Sequence, residues 1–114
     1  MIRVTIETTM HEKTAVLALD GRMDADQATL FEKECERLVA QGTAHIIIDL
    51  ERLKYVSSMG LRSFLHAAKI CQAAHGRFAL VHFTGFVKQV FDVTRLSPLF
   101  QSYETVDQAL QSMQ

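Results

Sequence analysis

The groups in this 114-residue chain that could do chemistry are mostly dispersed, with one exception, the run Tyr55-Val56-Ser57-Ser58-Met59-Gly60. Two adjacent serines stand there, just after an apolar strand pattern has ended and just before a helical one begins. A serine in that place has an ordinary use, because its oxygen caps the free N–H groups of a helix start. Two serines and a glycine exceed what one cap requires. Gly60 removes a side chain from the first turn, so the backbone of another protein could approach closely. A hydroxyl so placed is reachable by a kinase. A phosphate added to it would meet unpaired N–H groups and the positive end of the helix dipole, and would give the surface roughly two negative charges.

Other chemistries find less support. A hydrolytic nucleophile elbow also places serine at a strand-to-helix turn, but Val56-Ser57-Ser58-Met59-Gly60 lacks the leading glycine of G-x-S-x-G. His66 and His82 are the available bases, yet no order of serine, acid and histidine stands out. His66 lies two helical turns beyond Ser58, about 12 Å along the axis, too far for a hydrogen bond. No enzymatic activity is expected. The glycines Gly21, Gly42, Gly60, Gly76 and Gly85 are too scattered for a phosphate-binding loop. Asp20, Asp24 and Asp49 raise the question of a cation, but Asp24 reads as a helix cap and Asp49 as a polar residue at a strand's end. The histidines His11, His45, His66, His75 and His82 show no ligand spacing. Cys35 and Cys71 fall on apolar helix faces without a CxxC motif and read as reduced core thiols. Neither a metal nor a cofactor is expected.

The elements that must position the serines follow from periodicity. The length fits a single domain, residues 1–114, that needs no metal or disulfide to fold. With 48% hydrophobic residues and a net charge of −1 the chain is globular in composition. It has no basic stripe for nucleic acid. It also has no apolar run long enough for a membrane span, and its first residues alternate like a strand rather than a signal core, so a cytoplasmic location is expected. Residues 2–8 and 14–19 alternate as strands around a polar turn at His11-Glu12-Lys13, the second ending at Asp20-Gly21. Asp24 and Gln27 read as a capping box. Behind it Ala28, Phe31, Cys35 and Leu38 recur at helical spacing, with Leu30 and Val39 widening the stripe and Gly42 as the residue past the end. Residues 45–50, apolar on both faces, read as a central strand, followed by a polar stretch at 51–54. A second helical stripe holds Leu61, Phe64, Leu65, Ala68 and Cys71, and Gly76 punctuates its end. Residues 77–83 read as a strand. Val87, Val90, Phe91, Val93 and Thr94 mark a third helix, with Pro98 in the connection after it. Thr105-Val106-Asp107-Gln108 reads as a second capping box, opening a last helix through Ala109 and Leu110. The order β-β-α-β-α-β-α-(β)-α predicts an α/β fold with a mixed sheet, parallel in its later part.

That order and the serine motif together resemble the anti-sigma factor antagonist, or STAS domain, family. Leu19-Asp20-Gly21-Arg22-Met23-Asp24 is similar to the family's L-x-G-R-L/F-D turn, and Ile46-Ile47-Ile48-Asp49-Leu50 to its strand ending in D-L. Tyr55-Val56-Ser57-Ser58-Met59-Gly60-Leu61-Arg62 resembles Y-I-S-S-A-G-L-R, and Phe86-Val87-Lys88-Gln89-Val90-Phe91-Asp92-Val93-Thr94 resembles V-x-x-V-F-x-x-T. The resemblance implies a mixed sheet of four to five strands with about four helices, layered mainly on one face. It implies a partner switch: the unmodified domain binds an anti-sigma factor that is also a serine kinase with a histidine-kinase-like ATPase fold, phosphorylation breaks the complex, and a serine phosphatase restores it. By position in the motif the phosphoacceptor is Ser58, with Ser57 as the alternative, since Ser57 takes the place of an aspartate in the best-known members. The implied contact surface comprises Arg22, Met23, Asp24, Ser57, Ser58, Met59, Gly60, Arg62 and Ser63, on a monomer or weak dimer. Some domains of the family instead serve in membrane-transport, lipid-trafficking or sensory complexes without a phosphorylation cycle.

Overall fold

The computed structural model describes residues 5–114, so residues 2–4 of the expected first strand lie outside the described part. The elements are β1 (Thr5–His11), β2 (Thr14–Met23), α1 (Ala25–Ala40), β3 (His45–Val56), α2 (Ser58–Ala73), β4 (Arg77–Val81), α3 (Gly85–Val93), a 3₁₀ turn (Ser97–Leu99), β5 (Gln101–Tyr103) and α4 (Val106–Ser112). One five-stranded sheet runs in the order β1-β2-β3-β4-β5. The β1–β2 hairpin is antiparallel and the remaining pairs are parallel, as the alternation of elements predicts.

The pleat divides the apolar residues between two faces. Leu17, Leu19, Ile46, Ile48 and Leu80 point to the side covered by α1, α2 and α3, whereas Val16, Ile47 and Val81 point to the other, where Ala109 of α4 lies against them. Three helices on one face and one on the other account for the doubly apolar run in β3. The larger core is tied together by rings. Phe31 of α1 meets Phe64 of α2 at 5.1 Å, Phe64 meets Phe91 of α3 at 5.5 Å, and Phe91 also meets Phe83 and Phe100 at 5.1 and 5.4 Å.

Several boundaries and packing expectations are corrected. The polar stretch at 51–54, expected to follow the strand, is itself part of it. Ala18 pairs with Asp49 but Asp20 with Arg52, and Gly21 with Leu53 but Arg22 with Tyr55. Each step places an extra residue on β3, so two bulges carry the strand past its polar residues while Leu53 and Val56 stay buried. β2 likewise continues beyond Asp20-Gly21 to Met23, and β4 stops at Val81 rather than at residue 83. Leu30 and Val93 are 55% and 82% exposed and belong to no core stripe.

The three longer helices end alike. At the end of α1 the Gly42 N–H donates to the Val39 carbonyl and the Thr43 N–H to the Leu38 carbonyl, with Gly42 at φ +94°, a Schellman closure that favours glycine. In α2 the same left-handed position is held by His75 and in α3 by Arg95. Gly76 follows His75, and a Cβ there would sit 1.5 Å from the Ala44 carbonyl oxygen. Its lack of a side chain serves that close approach.

Candidate functional site at the β3–α2 junction

Ser57 is the single residue between β3 and α2, with an extended backbone at φ −85°, ψ 173°. All its polar groups are used. Its N–H donates to the Met23 carbonyl at 2.9 Å, its carbonyl accepts from the Leu61 N–H at 2.9 Å, and its Oγ accepts from the Gly60 N–H at 3.1 Å. Ser57 is therefore the helix cap. Ser58, first residue of the helix, is exposed, and its Oγ has no hydrogen-bond partner among the described residues. The pair thus divides into a structural hydroxyl and a free one. Ser57→Ala is expected to lower stability by about 1 kcal/mol, or Tm by about 4 °C, and Ser58→Ala to leave Tm nearly unchanged, as read by thermal denaturation.

Beneath the junction three of the predicted contact residues form a floor. Met23 and Ser63 are fully buried. Ser63 Oγ donates to the Gly60 carbonyl at 2.5 Å and lies 3.7 Å from Met23 Sδ. A Cβ on Gly60 would lie 2.6 Å from Val56 Cγ2 and 3.3 Å from the Met23 carbonyl oxygen. The close approach that Gly60 permits is therefore internal, between α2 and the end of β2, and not an approach by another chain. In this structure Met23, Gly60 and Ser63 support the surface and do not form it.

The exposed members are Arg22, Ser58, Met59 and Arg62, with Asp24 half-buried beside them. Met23 is register partner to Val56 and accepts from the Ser57 N–H, which sets the β2–α1 turn against the start of α2. Asp24 holds the cap position of α1, but its side chain makes no cap hydrogen bond. Its expected partner Gln27 is buried, with an Oε1 that has no partner, so the predicted capping box does not form. The second forms in part: the Thr105 Oγ accepts from the Gln108 N–H at 3.1 Å, while Gln108 Oε1 accepts at 3.2 Å from the Glu104 N–H, one residue before the cap, and not from the cap's own N–H.

Two residues extend the same end of the sheet and were not singled out in the sequence. The Arg22 guanidinium lies 4.1 Å from the centroid of Tyr55, its register partner, and Tyr55 stacks on Phe86 with centroids 6.5 Å apart and planes 16° from parallel. Phe86 is 54% exposed and Met59 43%. The signal for Phe86 is its place off the Val87-Val90-Phe91 stripe, where an aromatic residue points away from the core.

Among the described residues no histidine or carboxylate is hydrogen-bonded to Ser58. His66 pairs with Glu36 at 3.1 Å and His82 with Asp49 at 2.8 Å, and neither is hydrogen-bonded to a serine. Asp20 faces Arg52 at 4.0 Å. Asp49 gathers instead with Glu51 and His82, whose ligand-type atoms lie within 4.8 Å of one another. Its Oδ1 already accepts from His82 Nδ1 and from the Glu51 N–H at 3.0 Å. Cys35 and Cys71 are buried free thiols, and burial pushes Cys71 up to about 11 and Cys35 further still. They match the expected core role. No helix among the described residues is long and apolar enough to cross a membrane.

The fold and this junction define an α/β module that offers an exposed, unengaged serine beside a cation and several apolar side chains. The chain belongs to the STAS domain family, whose profile matches residues 5–109. It is 31% identical over 85 residues to BtrV of Bordetella bronchiseptica, a protein named as an anti-sigma factor antagonist, with 75% of this chain and 73% of the relative covered. It is 25% identical over 108 residues to the anti-sigma-F factor antagonist RsfB of Mycobacterium tuberculosis, covering 94% and 87%. Among solved structures, the anti-sigma factor antagonist SpoIIAA in its unphosphorylated form superposes with a TM-score of 0.83 at 24% identity, covering 95% of each chain. SpoIIAA of Bacillus in its phosphorylated form gives 0.76 at 23%, covering 96% of this chain and 100% of that one. These two show the shared fold.

Proposed function

We propose that this chain is an anti-sigma factor antagonist that works by partner switching. With Ser58 unmodified it binds an anti-sigma factor that is also a serine kinase. Phosphorylation of Ser58 releases it, and a serine phosphatase returns it to the binding form. The carrying observation is that Ser57 does all the capping, which leaves the Ser58 hydroxyl exposed and without a structural task. In the transfer, Ser58 Oγ forms a bond to the γ-phosphorus of ATP, the bond to the leaving ADP oxygen breaks, and the hydroxyl proton passes to a base of the kinase. Hydrolysis by the phosphatase returns the hydroxyl and inorganic phosphate. Arg22, Asp24, Ser58, Met59 and Arg62, with Tyr55 and Phe86, form the contact surface. The names of BtrV and RsfB and the two recorded forms of SpoIIAA support the reading.

Incubating the chain with its cognate kinase and ATP tests this directly. One added phosphate in the wild type, lost in Ser58→Ala, is the expected result. A signal that persists in Ser58→Ala and vanishes in Ser57→Ala overturns the site, and co-purification with a permease in place of a kinase overturns the role.

A further inference from the structure

We infer that Arg62 receives the phosphate of a modified Ser58 within the same chain, so that phosphorylation withdraws a cation from the docking face while adding a dianion to it. The inference rests on Ser58 being the phosphoacceptor and extends that reading to a second residue of α2.

Ser58 and Arg62 are both exposed and stand four residues apart on one helix. That spacing brings their Cβ atoms to about 5–6 Å. Long side chains on a helix lean toward its N-terminus, a direction that brings the turn beginning at Ser58 within reach of Arg62. Nothing else claims it. The ion pairs among the described residues use Arg37, Arg52, His66, His82 and Lys88, and Arg62 has neither an ion pair nor a hydrogen bond. The first turn of α2 holds no acidic residue to compete for it. The neighbouring hydroxyls are committed elsewhere, Ser57 to the Gly60 N–H and Ser63 to the Gly60 carbonyl. The other exposed guanidinium at this end, that of Arg22, lies over Tyr55. A planar guanidinium can hold two phosphate oxygens at once, which suits Arg62 to this role better than a point charge would be. In the unmodified chain the same group is free for a carboxylate of the partner. After phosphorylation it is occupied.

The test needs no kinase. Phosphoserine is incorporated at position 58 during translation, and its second ionisation is followed by phosphorus NMR from about pH 4 to pH 8. A nearby cation favours the dianion, so Arg62→Gln is expected to raise this pKa by about 0.5, and Arg62→Lys to recover part of the difference. Lys69→Gln, which removes the same charge about 16 Å along the helix axis from Ser58, is expected to leave the titration unchanged. Matching curves for wild type and Arg62→Gln overturn the inference, and so does an equal shift in Lys69→Gln, which would mark a net-charge effect. Circular dichroism of each variant confirms that the exposed substitutions leave the fold in place. Because the phosphate is installed directly, failure of the kinase reaction counts against the reading of Ser58, whereas the titration judges Arg62 alone.

Discussion

Phosphoserine at position 58 is expected to weaken binding to the proposed anti-sigma partner at least about a hundredfold, measured by titration calorimetry on the whole chain. The site lies at the first residue of α2, next to the 43%-exposed Met59 and on the same end of the sheet as the Arg22–Tyr55–Phe86 stack. Apolar side chains exposed in this way are what an interface buries. A dianion among them must shed water to be covered, and it meets any acidic group of the partner with like charge, a cost of a few kcal/mol. About 2.7 kcal/mol corresponds to the hundredfold. Ser58→Ala is expected to keep affinity within about threefold, because the hydroxyl holds nothing in place. Equal affinity for the phosphorylated and unmodified chains would sink the switch.

Phe91→Ala is expected to remove about 3–5 kcal/mol of stability and to lower Tm by at least about 12 °C. Phe91 is fully buried and meets three other rings, those of Phe64, Phe83 and Phe100. It is the point at which α3 is attached to α2 and to the segments that flank β4 and β5. Truncation leaves a cavity that three elements would have to close together, and partial relaxation keeps the cost high. The neighbouring Val93→Ala, at a position 82% exposed, is expected to change stability by less than about 0.5 kcal/mol. Urea denaturation of the pair of variants separates the two, and a small effect at Phe91 would mean that the aromatic cluster does not anchor α3.

The order of elements was legible because strand and helix periods differ clearly along this chain, and the buried stripe Ala28-Phe31-Cys35-Leu38 lies where its spacing predicts. The length of β3 was not, because two bulges break its alternation and make Glu51 and Arg52 look like a loop. The two capping boxes show the limit of a local pattern. Gln108 sits on the exposed side of a short helix and is free to reach back. Gln27 adjoins Ala28 on the packed face of α1, so burial draws its side chain inward and the box fails. Gly76 punctuates the end of α2 in the sequence, yet the left-handed residue there is His75. Of the candidate site, the serine pair and the Arg22–Asp24 turn could be seen in advance. Which serine caps could not, since either can accept from the first turn until the end of β3 is fixed at Val56.

One residue, Ser57, joins β3 to α2, and it is fastened by three hydrogen bonds to β2 and to its own helix. A junction so short has no slack with which to store two shapes. Under the proposed switch the record is therefore kept in a covalent bond and not in a conformation. A phosphate placed at Ser58 under that proposal would not fade by thermal relaxation of the backbone, and would persist until a phosphatase removed it. The proposal thus makes the lifetime of the message a balance between the two enzymes that would write and remove it.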